Sequence, residues 1–240
     1  MNDTDSIAIA VFVKTPGISP VKSRLAAEIG VDQAERCYRL SVRAIEEVLC
    51  RTSDASPIPL SLYWAVAESE GMTHPMWEKF ARELQPVGNL GDRLAGMYDR
   101  LISRHRGVIF LGADAPQITP RLLLEGIRLL TEEGKNRSRC VIGPARDGGF
   151  YLFGGTSPLP NSVWTNISYS NETTCEQLCG DLSKNSYTCK FLPPLCDIDR
   201  RDDLLQVLDV LRSAHEGSAF DGLDEQRMFF ETFKHLATDF

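Results

Sequence analysis

Short apolar segments alternate along this chain with longer stretches of helical character, and this alternation constrains the fold more than any other feature. Residues Ile7–Val13 and Gly107–Gly112 are almost wholly apolar, as expected for strands buried on both faces of a sheet. Parallel neighbours in a sheet need crossover connections, which helices supply. The sequence therefore predicts one doubly wound α/β domain built on a mainly parallel sheet.

The remaining elements follow from the same patterns of apolar residues. Further strands are predicted at Leu60–Val66, Leu84–Val87, Cys140–Gly143, Phe150–Phe153 and Cys189–Leu192, and helices at Val21–Cys50, Asp92–Arg104, Pro120–Glu133, Asn171–Leu182 and Asp202–Ala214. A composition break follows the last of these helices. We therefore assign residues 1–215 to this α/β domain and residues 216–240 to a C-terminal helical tail.

The composition excludes several classes of protein. The chain has 26 Lys and Arg against 33 Asp and Glu, a formal net charge of −7, whereas a general nucleic-acid binder needs a basic face. Its longest purely apolar run, Ile7–Val13, is far shorter than the ~20 residues that span a bilayer. The first five residues carry two aspartates, whereas a signal peptide begins with a basic segment. We expect a cytoplasmic protein with neither a membrane span nor a nucleic-acid partner.

The seven cysteines are an odd number and include no CxxC pair. This fits reduced and mostly buried thiols better than a disulfide framework. The alternative is a metal cluster of Cys175, Cys179, Cys189 and Cys196, in which the first two residues are spaced to share a helix face. That set lacks the two short CxxC pairs of structural zinc sites, and we favour reduced thiols.

The loop after the first predicted strand is rich in cations. Lys14, Lys22 and Arg24 lie within eleven residues of an otherwise acidic chain, together with Gly17. Ligands of open parallel sheets bind at the carboxyl ends of the strands, and N–H groups at a helix start bind anions together with Lys and Arg side chains. We favour a phosphate site over a solvated basic turn, because Lys14 ends a buried strand, where an unpaired ammonium is a poor structural choice.

Three aspartates are candidates for holding a divalent cation. Asp114 follows a buried strand, and it is not needed as a helix cap because Thr119 already precedes Pro120 at a helix start. Asp197 and Asp199 alternate along an extended segment and so point the same way, as carboxylates around a cation do. Asp199 is also expected to cap the last predicted helix, which makes Asp197 the better ligand candidate.

Two glycine-containing segments are less specific indicators of a ligand-binding site. Asp147-Gly148-Gly149 lies between two predicted strands, where it fits a plain hairpin turn as well as a ligand-binding loop. Leu90-Gly91-Asp92-Arg93 is weaker still, since a glycine and an aspartate before a helix are expected of any helix start.

Taken in order, these segments carry a resemblance that covers about residues 7–212. Its carriers are Lys14-Thr-Pro-Gly17 with Val21-Lys-Ser-Arg24-Leu25, Leu90-Gly-Asp-Arg93, Leu111-Gly-Ala-Asp114-Ala-Pro116, Gly143-Pro-Ala-Arg-Asp147-Gly-Gly-Phe-Tyr151 and Asp197-Ile-Asp199. The chain resembles the bacterial nucleotide-diphospho-sugar transferases of the DUF2064 type, some of which are called arsenosugar-biosynthesis glycosyltransferases. It is similar also to the guanylyltransferases that act on 2-phospholactate and on the molybdenum cofactor.

The resemblance implies a GT-A fold, a Rossmann-like single domain that binds a nucleotide, and it implies roles for particular residues. The nucleotide and its phosphates would be bound by Lys14, Gly17, Lys22, Arg24, Gly91, Asp92 and Arg93. Mg²⁺ or Mn²⁺ would be held by Asp114, Asp197 and Asp199. The acceptor side would be lined by Gly148 and Gly149 with Asp147, which is the candidate general base.

The chain departs from the family pattern in two places. Arg200-Arg201-Asp202 stands where the family usually has Thr-Pro-Glu, and Ile167-Ser-Tyr169-Ser stands where it has a Trp-Ser/Thr segment. The first change leaves the carboxylates intact, and the second leaves the identity of the acceptor open.

Three functions are compatible with these residues. The first is a metal-dependent glycosyltransferase that uses a nucleotide-diphospho-sugar and a small-molecule acceptor. The second is a nucleotidyltransferase that moves a nucleoside monophosphate from a triphosphate to a phosphorylated acceptor, which the cation-rich first loop and the aspartate pair also suit. The third is a nucleotide-binding module without turnover, which we rank last because the three aspartates are all present. The oligomeric state stays open.

Overall fold

In the computed structural model, which describes residues 5–132, 139–216 and 223–237, seven strands form one sheet. The strands are β1 (Ile7–Val13), β2 (Leu60–Val66), β3 (Ala81–Leu84), β4 (Gly107–Gly112), β5 (Arg139–Pro144), β6 (Phe150–Gly155) and β7 (Thr188–Phe191). The helices are α1 (Ser23–Ile29), α2 (Val31–Ala55), α3 (Leu90–Ile102), α4 (Pro120–Thr131), α5 (Ser162–Thr165), α6 (Thr174–Lys184), α7 (Arg201–Glu216) and α8 (Asp224–Phe233). Short 3₁₀ helices lie at Glu70–Thr73, Pro75–Trp77 and Lys234–Ala237.

The sheet order is β3-β2-β1-β4-β6-β5-β7. All neighbours are parallel except that β6 runs antiparallel to both β4 and β5. The β5–β6 pair is therefore a hairpin, whereas the parallel neighbours are joined by longer connections. The predicted doubly wound, mainly parallel α/β fold is confirmed.

The two faces of the sheet bury different kinds of side chain. Along β1 the larger residues Ile7, Ile9, Val11 and Val13 belong to the core cluster shared with α2 and α4. Ala8 and Ala10 belong to the cluster on the other face, which α3, α5 and α6 cover. Small residues there leave room for the bulky aromatic rings of Tyr98, Phe110, Phe153 and Trp164, whose centroids lie 4.7–5.9 Å apart where they touch.

Two predicted elements differ from the structure. The helix predicted at Val21–Cys50 is two helices, because Gly30 adopts a φ of +88° that ends α1 and precedes α2. The strand predicted at Leu84–Val87 lies earlier, at Ala81–Leu84, and its residues are mostly exposed on the edge of the sheet. An edge strand need not be apolar, so the apolar pattern placed it wrongly.

The helix near the C-terminus packs against the sheet domain. The Phe229 and Phe233 side chains of α8 are fully buried in a cluster with residues of α2 and α7. Gln226 Nε2 donates to the carbonyls of Pro116 and Ile118 at 2.7 and 2.6 Å, which ties α8 to the loop after β4. Among the described helices, none is both long enough and apolar enough to cross a membrane.

Candidate functional site

A cleft lies where the connections of the sheet diverge. Strands β2 and β3 lie on one side of β1, whereas β4 and the strands that follow it lie on the other side. In open α/β sheets this switch point leaves a crevice outside the carboxyl ends of the strands. A cleft of about 780 Å³ lies there, lined by residues from the end of β4, from the β5–β6 hairpin, from the segment 169–174 and from the segment 197–203.

The three predicted cation ligands all line this cleft. Asp114 lies just beyond β4, and the chain after β7 runs back toward it. Arg146 N–H donates to Leu195 O at 3.0 Å, and Ile198 N–H donates to Asp114 O at 2.9 Å. These backbone hydrogen bonds place Asp197 and Asp199 beside the end of β4, although they are more than 80 residues away in sequence.

Asp197 is in an unfavourable electrostatic environment for a carboxylate. Burial first, and then the negative charges of Asp147 and Asp114, raise the pKa of this half-buried carboxyl to about 6, while Lys22 opposes the shift. An excess of negative charge around a partly desolvated carboxylate is relieved by binding a cation. A cation bound beside Asp197 would therefore stabilise its charged form.

Lys22 is held in a strained and buried position at this site. Its backbone is left-handed, with φ 51° and ψ 42°, at the start of α1, a conformation that costs energy for residues other than glycine. Its side chain is only 6% exposed and its ammonium pairs with Asp114 Oδ1 at 2.7 Å. The same Nζ donates to Ile198 O. Lys22 therefore links the first loop to both of the segments that carry the aspartates.

Arg24 and Asp199 form a second ion pair at the mouth of the cleft. Arg24 Nη1 lies 2.6 Å from Asp199 Oδ2, and the two side chains are 59% and 42% exposed. The hydrogen bond to Asp199 raises the pKa of the guanidinium. Both groups are accessible, so a phosphate could replace Asp199 as the partner of Arg24 without any burial of an unpaired charge.

The expectation that Asp199 caps the last helix is wrong. Asp203 Oδ2 accepts from the N–H groups of Asp199 and Arg200 at 3.1 and 2.7 Å. Glu28 Oε2 accepts from Arg201 N–H at 2.8 Å. These two carboxylates therefore bind backbone N–H groups at and just before the start of α7, while the Asp199 side chain pairs with Arg24.

The Asp147-Gly148-Gly149 segment is both a hairpin turn and a wall of the cleft. Ala145 N–H donates to Gly149 O at 3.0 Å, and Gly149 N–H donates to Asp147 Oδ1 at 2.8 Å. All three residues of the segment line the cleft. The hairpin turn is confirmed, and ligand binding by this segment stays a prediction.

The other predicted binding residues lie outside the cleft lining. Lys14 is exposed, and its backbone N–H and C=O bind the Tyr38 hydroxyl at 2.9 Å each. Gly17 lines a separate groove beside α1. At the start of α3, Asp92 forms a capping box with Asn89.

Gly91 and Arg93 also have structural contacts at the start of α3. Gly91 packs so closely against the backbone of Trp164 that a side chain would collide with it. Arg93 Nε donates to Gly88 O at 2.9 Å. Roles for Lys14, Gly17, Gly91, Asp92 and Arg93 in nucleotide binding remain predictions.

The cleft is also lined by residues to which no role was assigned from the sequence, although some of them lie within the motifs quoted above. They are Phe12, Leu90, Leu94, Phe110, Arg146, Phe150, Tyr151, Tyr169, Ser170, Asn171, Glu172, Thr174, Arg200 and Asp203. The segment 169–172 packs directly against the hairpin. This close contact is possible because Gly148, at φ +91°, has no side chain, and a Cβ there would overlap the Glu172 carbonyl. A useful indication in the sequence was the departure from the family pattern at residues 167–170.

The described residues contain no group of three or more His, Cys, Asp or Glu side chains arranged to hold a metal ion. The alternative of a metal site formed by Cys175, Cys179, Cys189 and Cys196 is therefore wrong. Cys196 lies in the core between α1, α2 and α7, whereas the other three cysteines pack against the opposite face. The same finding applies to Asp114, Asp197 and Asp199, which do not form a three-ligand metal site in the described part of the chain. Two of these carboxylates remain compatible with Mg²⁺ or Mn²⁺, because Mg²⁺ is commonly bound by one or two carboxylates together with substrate phosphates rather than by a complete protein cage.

Comparison with known proteins gives one family. The sequence model of DUF2064, described as "Uncharacterized protein conserved in bacteria", matches residues 48–171, just over half of the chain. No curated protein matches.

Several solved structures share the fold. A protein from Desulfovibrio desulfuricans G20, provisionally assigned as a nucleotide-diphospho-sugar transferase, has a TM-score of 0.78 at 21% identity, with 96% of each chain covered. The 4-diphosphocytidyl-2C-methyl-D-erythritol synthase of Anaerococcus prevotii DSM 20548 has a TM-score of 0.54 at 11% identity, covering 87% of this chain and 99% of that one. A CMP:2-keto-3-deoxy-manno-octonic acid synthetase, solved with CTP, reaches 0.50 at 12% identity, covering 88% and 99%. The fold implied by the resemblance, that of a nucleotide-diphospho-sugar transferase, is confirmed.

Proposed function

The chain belongs to the DUF2064 family, and on that premise we propose that it is a transferase acting on an activated nucleotide. In this proposal it moves the sugar of a nucleotide-diphospho-sugar to a small-molecule acceptor and uses Mg²⁺ or Mn²⁺. One observation carries the proposal: Asp114, Asp197 and Asp199 meet Arg24 in a single cleft at the switch point of the sheet. Carboxylates and a guanidinium at that position suit a metal-bound diphosphate.

The charged residues have distinct roles in this reaction. Asp114 and Asp197 would hold the cation, which when bound would neutralise the diphosphate and stabilise it as a leaving group. Arg24 would exchange Asp199 for a phosphate oxygen, since the ion pair is exposed and its two members are not otherwise needed for the start of α7. Lys22 keeps Asp114 oriented through its ion pair and adds positive charge near the phosphates.

Asp147 is the proposed general base. Its carboxylate is held by the Gly149 N–H on the acceptor side of the cleft. It would take the proton of the acceptor hydroxyl while the acceptor oxygen bonds to the anomeric carbon and the bond from that carbon to the diphosphate oxygen breaks. Gly148 and Gly149 carry no side chain between the acceptor and the turn, so the acceptor can approach the backbone closely.

A nucleotidyltransferase is the second candidate. Arg146 and Arg200 also line the cleft, so with Arg24 three guanidiniums surround it. Several cations suit a triphosphate and a phosphorylated acceptor. In this reaction a phosphate oxygen of the acceptor would bond to the α-phosphorus and pyrophosphate would leave.

A thermal-shift panel on the full chain tests the proposal. Nucleoside triphosphates and UDP-, GDP- and ADP-sugars are compared, each with Mg²⁺, with Mn²⁺ and with chelator. A ligand that binds only the folded state raises the melting temperature. We expect cation-dependent stabilisation by one nucleotide-sugar. A preference for a triphosphate would select the nucleotidyltransferase, and no response to any nucleotide would refute both enzymes.

Replacing Arg24 by Ala is expected to separate binding from stability. An exposed ion pair contributes at most about 1 kcal/mol to folding, so the melting temperature should change little. Loss of a charge-assisted hydrogen bond to phosphate should weaken nucleotide binding about tenfold or more. The affinity of the variant should also depend less on salt concentration than that of the unchanged protein. Titration calorimetry at two salt concentrations measures both effects.

Arg39→Ala is the matched control. Arg39 is also an exposed arginine, paired with Glu35 on α2, and it does not line the cleft. It should bind the nucleotide like the unchanged protein. Equal affinity in the Arg24 and Arg39 variants would remove Arg24 from the phosphate site.

A further inference from the structure

Three cysteines meet where α6 packs on the edge of the sheet, away from the aspartates. Cys175 and Cys179 lie one helical turn apart on α6, and Cys189 lies on the edge strand β7. All three pack against the same core cluster. Beneath them, Cys140 of β5 is the register partner of Cys189 and is fully buried. The fold thus gathers residues that are 14 positions apart in sequence into one thiol cluster, Cys175–Cys179–Cys189.

The thiols of this cluster lie close enough to influence one another. Cys179 interacts with Cys175 on one side and with Cys189 on the other. All three thiols are free, and each residue is partly exposed. Thr188 and Lys190, the neighbours of Cys189 on the edge strand, are exposed, so a small solute can reach this strand.

The cysteines differ in how easily they form a thiolate. The neighbouring Cys179 thiol lowers the pKa of Cys189 against the opposing effect of burial. The other six cysteines, all within the described residues, have a raised pKa: Cys37, Cys50, Cys140, Cys175, Cys179 and Cys196. Since the thiolate is the reactive form, we expect Cys189 to be the first of these cysteines to react with an oxidant.

We propose that the contact between α6 and β7 is an oxidative modification site at which Cys189 and Cys179 form a reversible disulfide upon reaction with a peroxide. The Cys189 thiolate attacks one oxygen of hydrogen peroxide, the O–O bond breaks, and the sulfur becomes a sulfenic acid while hydroxide leaves. The Cys179 sulfur then attacks the Cys189 sulfur, the S–O bond breaks, and water leaves as the disulfide forms. Two thiols are oxidised, one peroxide is reduced to two waters, and a dithiol reductant reverses the change.

The test uses the full chain in its native state. The protein is treated with a small excess of hydrogen peroxide, its free thiols are blocked, and it is digested with trypsin and a glutamate-specific protease. Lys184 separates Cys179 from Cys189, and Glu176 separates Cys175 from Cys179, so mass spectrometry identifies the linked pair directly. We expect a Cys179–Cys189 peptide, the loss of two of the seven thiols, and recovery of both with dithiothreitol.

Three variants sharpen the result. Cys189→Ser should abolish the linked peptide. In Cys179→Ser the sulfenic acid on Cys189 should persist and be trapped by a cyclic diketone. Cys50→Ser, which removes a partly exposed cysteine of α2, should behave like the unchanged protein. A Cys175–Cys179 link, oxidation of Cys189 to the sulfinic acid without any link, or equal oxidation rates at Cys50 and Cys189 would each overturn the proposal.

Discussion

Replacing Asp197 by Asn is expected to make the protein more stable and to abolish cation-dependent nucleotide binding. Burial, followed by the charges of Asp147 and Asp114, raises the pKa of Asp197 to about 6. A carboxyl whose pKa is higher in the folded state binds more protons when folded, so ionising it costs stability as the pH rises from about 4 to about 6. The variant lacks this cost. We expect a gain of about 1–3 kcal/mol above pH 6, which disappears below pH 4.

The measurement is urea unfolding between pH 4 and 8 with chelator present, alongside the thermal-shift panel. Asp99→Asn is the matched control, because burial also raises the pKa of Asp99, and Asp99 on α3 does not line the cleft. It should gain some stability without losing nucleotide binding. If Asp197→Asn lowers the stability at pH 7, then the charged form of Asp197 stabilises the fold, and the expected electrostatic cost of ionising it is absent.

Replacing Gly148 by Ala is expected to destabilise the protein by about 2–4 kcal/mol and to disrupt the cleft. Gly148 has a φ of +91°, and a Cβ there would overlap the backbone carbonyl of Glu172. Backbone cannot move aside as a flexible side chain can, so the hairpin and the segment 169–174 must separate. Cys175 N–H, which donates to Gly148 O at 2.8 Å, would be displaced with them.

Gly17→Ala is the control that isolates the collision. Gly17 has a φ of +87°, almost that of Gly148, but nothing lies within 4 Å of a Cβ built there. It should therefore show only the backbone strain, about 1–2 kcal/mol. Urea unfolding compares the two variants. Equal losses of stability would mean that the close contact between the hairpin and Glu172 does not exist in solution.

Local patterns predicted most of the fold. The apolar runs of β1 and β4 indicated strands buried on both faces, and Thr119 before Pro120 marked the start of α4, where its side chain accepts from Leu122 N–H at 3.2 Å. The errors arose where local patterns compete with position in the fold. The edge strand β3 is largely exposed, and the conformation of Gly30 divides a helix that the apolar pattern made continuous.

The candidate site was predicted only in part, for the same reason. Asp114, Asp197 and Asp199 could be assigned to one sheet edge because carboxyl ends of parallel strands meet there. Their partners could not be assigned. That Lys22 binds Asp114, and that Arg24 takes the Asp199 carboxylate while Asp203 caps α7, depends on which segments cross the end of the sheet.

What the sequence determined by itself is the class of fold, the edge of the sheet that carries the polar residues, and the supply of carboxylates and cations at that edge. These follow from periodicity and from the kinds of residue after each strand, which are local properties. Only the tertiary structure decided the ion pairs, the high pKa of Asp197 and the thiol cluster at α6. Each of these depends on distances between segments that are far apart in the chain, and on the removal of water when those segments pack together.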